Sequence, residues 1–169
     1  MRSVWLIGMM GSGKSAVAAG IAVALGLIAV DTDEQVAQRM GCSIAELWGS
    51  VGEAAFRDME AARIEDLADK QGLVIATGGG AVLRPANVAA MKRSGLVVWL
   101  EAPAEVLATR VGGAGGRPLL EGESTPDRFD EILAEREHAY RSAADVRIDT
   151  TIGSVEEVVD AVAATWNRF

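Results

Sequence analysis

The stretch Gly8-Met9-Met10-Gly11-Ser12-Gly13-Lys14-Ser15 constrains this chain more than any other. It fits G-x-x-x-x-G-K-[ST], the P-loop pattern that holds nucleotide phosphates. The apolar run Val4-Trp5-Leu6-Ile7 precedes it as a strand, and Ala16 to Leu25 follows as a helix, which is the setting the pattern needs. With glycine at 8, 11 and 13 the loop can turn its backbone N–H groups onto phosphate oxygens. The helix behind it adds its positive end. Lys14 would then reach the β- and γ-phosphates, and the Ser15 hydroxyl would be a ligand for Mg²⁺. The alternative, a glycine-rich turn beside a solvated lysine, leaves the strand–loop–helix setting unexplained.

Composition narrows the partners. The 169 residues fit one domain with a sizeable core, and half of them are hydrophobic, which excludes a disordered chain. A formal net charge of −8 repels nucleic acid and anionic membranes alike, so neither is an expected partner. Cys42 is the single cysteine and can form no internal disulfide, which suits a reducing cytoplasm; it reads as a packing residue. Residues 16–30 carry no charge, yet the run falls short of the roughly 20 residues a membrane span requires. It reads as a buried helix feeding a short strand.

Taken in order, strands and helices alternate. Strands are expected at Val4–Ile7, Leu27–Val30, Leu73–Thr77, Leu96–Leu100 and Val146–Ile148. Helices are expected from Ala16 to Leu25, up to Met40, from Ser43 with Glu46 at capping-box spacing, and from Gly52 to Lys70. Further helices run from Pro85 to near Gly95, from Pro103 to Val111, from Pro126 to Arg141, and onward from Ser154 with Glu157. Short apolar strands, each followed by a helix, specify a three-layer α/β/α fold around a five-stranded parallel sheet, a P-loop NTPase arrangement in one domain. Ligands in such sheets sit beyond the carboxyl ends of the strands. That edge should gather the P-loop, Asp31 and Asp33 after the second strand, and Gly78-Gly79-Gly80 after the third.

This ordered set resembles the shikimate kinase family over nearly the whole chain. The resemblance rests on the P-loop, Asp31-x-Asp33, Gly52-Glu53-x-x-Phe56-Arg57-x-x-Glu60, Gly78-Gly79-Gly80-Ala81-Val82, Arg117-Pro118-Leu119-Leu120, and Arg136 followed by Tyr140. It implies transfer of the γ-phosphoryl of ATP to the 3-hydroxyl of shikimate, in the cytoplasm, by a monomer. Asp33 is the candidate to accept or orient the acceptor proton, and a loose transition state makes orientation the larger task. Asp31 would address Mg²⁺ through water beside Ser15, although the same aspartates suit a helix N-cap. The resemblance gives Arg57 the substrate carboxylate, with Glu60 steadying it, and makes Arg136 a second fork to that anion. Gly78, Gly79 and Gly80 would bring backbone N–H groups close to substrate oxygens. A helical substrate region would span about 31–62 and a lid about 112–125, whose Arg117 would stabilise the transferring phosphoryl group. Arg110 would pack on adenine, and residues 149–153 would line its other side.

Two positions depart from the family pattern. Ala16, a nucleotide-contact position, replaces a hydroxyl residue, and Ala37 replaces a glutamate. His138 stands without metal-binding neighbours and reads as solvated; Trp5, Trp48, Trp99 and Trp166 read as packing residues. A gluconate or nucleoside monophosphate kinase, or a non-catalytic ATP-binding module, are the competing readings.

Overall fold

Val4 and Leu6 face one side of a central sheet while Trp5 and Ile7 face the other, so a single strand feeds two hydrophobic layers. In the computed structural model, which describes residues 2–112 and 125–169, that strand is β1 (Ser3–Ile7). It is joined by β2 (Ile28–Asp31), β3 (Leu73–Ala76), β4 (Gly95–Glu101) and β5 (Val146–Asp149) in the order β2-β3-β1-β4-β5. Every neighbouring pair is parallel. The expected three-layer α/β/α arrangement is therefore present.

Helices α1 (Lys14–Leu25) and α7 (Val155–Trp166) cover one face, where Val17 and Ile21 meet Val158, Val159 and Val162. The contact is close: a Cβ on Gly20 would lie 2.6 Å from Val159 Cγ2. Between α1 and the last helix the chain forms α2 (Thr32–Met40), α3 (Ile44–Ala68), α4 (Pro85–Ser94), α5 (Ala104–Val111) and α6 (Pro126–Ala143). Ile64, Leu67, Met91, Leu107, Phe129 and Tyr140 from α3 to α6 close the opposite face over Trp5 and Trp99. A third, smaller cluster of Val36, Leu47 and Phe56 joins α2 to α3, and Cys42 packs against it as expected.

Local signals set most boundaries. Ser43 Oγ accepts from Glu46 N at 3.2 Å while Glu46 Oε2 accepts from Ser43 N at 2.8 Å, completing the capping box. Ser154 and Glu157 repeat it at α7. The two helices expected from Ser43 and Gly52 form one element kinked at Gly52, whose φ of 80° interrupts helical geometry. Helix α1 starts at Lys14 rather than Ala16, because the phosphate loop winds straight into its first turn. Strand β3 stops before Thr77, but both the N–H and the hydroxyl of Thr77 still donate to Leu6 O. No helix among the described residues is long and apolar enough to cross a membrane.

Candidate active site

The carboxyl ends of β1, β2 and β3 open onto one cavity of about 830 Å³. At its centre Gly8, Gly11 and Gly13 have positive φ of 142°, 82° and 87°, so the loop turns where other residues would be strained. Lys14 Nζ donates to Gly8 O and Met9 O, each at 2.8 Å, bracing the loop from within. No side chain caps the N-terminus of α1, whose N–H groups remain for an anion. Gly11, Ser12, Gly13, Lys14, Ser15 and Ala16 all line the cavity.

Sixteen residues on, β2 delivers the first acid. Ser15 Oγ donates to Asp31 Oδ2 at 2.7 Å. Asp31 Oδ1 meanwhile accepts from Asp33 N and Glu34 N at 3.0 and 3.2 Å, so the aspartate also caps α2. Capping uses Oδ1 alone, which leaves Oδ2 to face Ser15. A hydroxyl paired with a carboxylate is the donor set a magnesium ion with its water shell would take, and the hard oxygen chemistry fits. Among the described residues no group of three acidic, histidine or cysteine side chains forms an all-protein metal cage.

Asp33 lies deeper in the cavity. Burial pushes its pKa from 3.8 up to about 6, with Glu60 and Asp31 adding to the rise and Lys14 and Arg57 opposing it. Glu60 is itself 1% exposed, and burial raises its pKa against the pull of Arg57. Arg57 Nη1 donates to Glu60 Oε2 at 2.9 Å. The i, i+3 pair is screened from solvent, with side-chain exposures of 14% and 1%.

The glycine triplet lies against these side chains. A Cβ on Gly80 would stand 2.3 Å from Arg57 Nη2, and one on Gly78 would stand 2.3 Å from Glu60 Oε1 and 2.7 Å from Asp33 Oδ1. Gly79 approaches Arg136 Nη1 and the Gly8 carbonyl at 3.6 Å each by the same measure. One expectation is corrected here: Gly78 N donates to Thr32 Oγ1 at 3.1 Å, so that N–H is spent inside the fold. Arg136 is 4% exposed, and its Nε and Nη1 have no hydrogen-bond partner. At the far end, Arg110 holds Thr150 through its side chain at 3.2 Å and its carbonyl at 2.5 Å, joining the two segments expected around adenine.

Arg117 and most of the expected lid fall within 113–124, outside the described residues. His138 is exposed, and Trp5 and Trp99 are core residues, as expected. Trp48 differs. It lines the cavity, packs on Phe56 with ring centroids 5.2 Å apart, and lies 5.2 Å from the Arg57 guanidinium. Trp48 lies on the N-terminal side of the Gly52 kink, and Phe56 and Arg57 lie beyond it.

Fold and cavity together make this chain a P-loop kinase. The family model for shikimate kinase matches residues 10–167. A shikimate kinase from Geobacter sulfurreducens is 43% identical over 162 residues, covering 96% of this chain and 89% of that one. The chain belongs to the shikimate kinase family. Its fold superposes on a shikimate kinase from Acinetobacter baumannii solved in complex with shikimate, with a TM-score of 0.93 and 30% identity over 98% of this chain and 92% of that one. A gluconokinase from Sinorhizobium meliloti, at 20% identity and a TM-score of 0.59 over 99% of this chain and 92% of that one, shares the fold alone.

Proposed function

We propose that this enzyme transfers the γ-phosphoryl group of MgATP to the 3-hydroxyl of shikimate, giving shikimate 3-phosphate and ADP. The observation that carries the acceptor assignment is Arg136: a buried cation with two unpartnered nitrogens, on a cavity that Arg57 also lines. Leaving such donors unpaired is costly, and a planar carboxylate from the ligand relieves the cost with charge-assisted bonds. Shikimate carries that carboxylate together with the hydroxyl to be phosphorylated.

In this reading the P-loop and the N-terminus of α1 hold the triphosphate, and Lys14 neutralises charge between the β- and γ-positions. Ser15, and Asp31 through water, would hold Mg²⁺, which would supply further neutralisation of the phosphate charge. Arg57 and Arg136 orient the acceptor through its carboxylate. Asp33 fixes the direction of the 3-hydroxyl and takes its proton as the oxygen bonds to phosphorus and the bond to ADP breaks. Arg117 is assigned the transition-state charge on the transferring group, and Arg110 with residues 149–153 the base. We take the enzyme to work as a cytoplasmic monomer.

Acceptor-dependent ADP release tests the assignment, with shikimate compared against gluconate, a nucleoside monophosphate and no acceptor. Stimulation by shikimate alone is expected. Bound ATP with no stimulation by shikimate would return the chain to a P-loop kinase of another acceptor.

A further inference from the structure

The glycine triplet creates a problem that the nucleotide and acceptor side chains do not solve. Its missing Cβ atoms let Arg57, Glu60 and Asp33 approach within distances that any side chain would block. The same absence leaves the backbone with the widest conformational freedom of any residue. A loop that must present a fixed surface to the acceptor therefore needs restraint from outside.

Two hydroxyls from distant parts of the sequence supply it. Thr32 Oγ1, at the start of α2, accepts the Gly78 N–H at 3.1 Å. The Tyr140 hydroxyl, on α6, donates to the Gly79 carbonyl. Both residues are 0% exposed, and neither lines the cavity. The Tyr140 ring is held in turn by stacking on Trp99, centroids 5.6 Å apart and planes 18° apart. Tyr140 also lies one helical turn beyond Arg136, so the residue that pins the loop shares a helix face with the cation nearest Gly79.

We infer that Thr32 and Tyr140 are positioning residues for the acceptor: two buried hydroxyls pin successive peptide groups of the triplet and thereby fix where Arg136 and Arg57, the latter held by Glu60, meet the substrate. The inference rests on the shikimate reading above. The nucleotide end of the cavity is built from the P-loop, Arg110 and Thr150; neither clamp hydroxyl bonds to these, although the clamped Gly79 faces the Gly8 carbonyl. Loss of the clamps should be felt chiefly by the acceptor, whose arginines meet the triplet directly, and much less by the nucleotide. Burial pushes the Tyr140 phenol up to about 12, so it remains a donor throughout the working pH range.

The test is steady-state kinetics on full-length Tyr140→Phe, Thr32→Val and Thr32→Ser beside the wild type, with thermal midpoints recorded. Each of the first two variants leaves one buried backbone group unpaired, and we expect KM for shikimate to rise roughly 5- to 100-fold. KM for MgATP should stay within about twofold, and Thr32→Ser, which keeps the hydroxyl, should restore the shikimate value. An unchanged KM for shikimate in both hydroxyl-deleted variants overturns the inference. So does a rise shared equally by both substrates that Thr32→Ser does not reverse, because that pattern marks general loosening of the fold. Should Tyr140→Phe fail to fold, the Val and Ser variants at Thr32 decide alone. A wild type that shows no shikimate-dependent ADP release overturns the acceptor assignment itself, a result separable from variants that match an active wild type.

Discussion

Ser15 Oγ and Asp31 Oδ2 lie 2.7 Å apart, although one belongs to the helix after β1 and the other ends β2. Strand β3 lies between those two strands in the sheet, so the contact spans the crevice where phosphates are expected. Asp31→Asn keeps a good N-cap for α2 while removing the charge directed at the metal. The Mg²⁺ concentration for half-maximal ADP release should rise roughly 10- to 100-fold, the usual effect of losing an outer carboxylate. KM for shikimate should not change; a Mg²⁺ titration at saturating shikimate checks both.

Asp33 has a folded pKa of about 6 against 3.8 for an unperturbed carboxyl. Its folded pKa is raised, so its contribution to stability is fully present below pH 3.8 and is lost as pH rises through about 6. The difference is worth about 3 kcal/mol. Asp33→Asn removes that penalty, so the variant should be more stable than the wild type at pH 8 and gain little at pH 4, while turnover collapses. Urea midpoints at the two pH values, paired with kcat, measure the trade.

Arg57→Ala strands Glu60, which is 1% exposed and has Arg57 as its hydrogen-bonded ion partner. Breaking a buried pair from one side costs roughly 3–5 kcal/mol. The double variant Arg57→Ala/Glu60→Gln should recover most of that stability, yet KM for shikimate should stay high in both. Denaturation curves and acceptor kinetics on the same preparations separate stability from recognition.

Arg136→Lys keeps the charge and loses the fork. KM for shikimate should rise roughly 10- to 100-fold, as expected when a bond between charged groups is lost. ATP affinity should be unaffected. Equal affinity for shikimate in the lysine variant would remove Arg136 from the carboxylate.

Two glycines should respond in opposite ways to alanine. At Gly80 a Cβ meets the tip of a flexible arginine, at 2.3 Å from Arg57 Nη2, so the fold should survive and KM for shikimate should rise roughly 10- to 100-fold. At Gly95 the Cβ would fall 1.8 Å from the Ser3 carbonyl on the neighbouring strand. Gly95→Ala should cost more than about 4 kcal/mol, read as loss of the thermal transition.

The phosphate loop was legible because its chemistry is local. Gly8 to Ser15 are contiguous, and the loop's shape follows from where glycine permits a positive φ. Capping boxes at Ser43 and Ser154 and the end of α1 at Gly26 are equally short-range, whereas Gly52 read as the start of a separate helix and is a kink within one element. Strand and helix alternation then determined a parallel sheet with its ligands at one edge. Burial was not legible, because it depends on what packs from elsewhere. Arg57 and Glu60 at i, i+3 look the same on a solvated helix and in a cavity; the glycine triplet after β3, lying against both side chains, made them a buried pair. Trp48 read as packing, and it packs on Phe56, but its place on the cavity beside Arg57 was not legible. Gly78 read as a donor to substrate until β2 and β3, adjacent in the sheet, placed Thr32 on its N–H. The sequence by itself determined the nucleotide chemistry and the order of the elements. Only the tertiary structure decided which charges are dry and which backbone groups are free, since both depend on neighbours far apart along the chain.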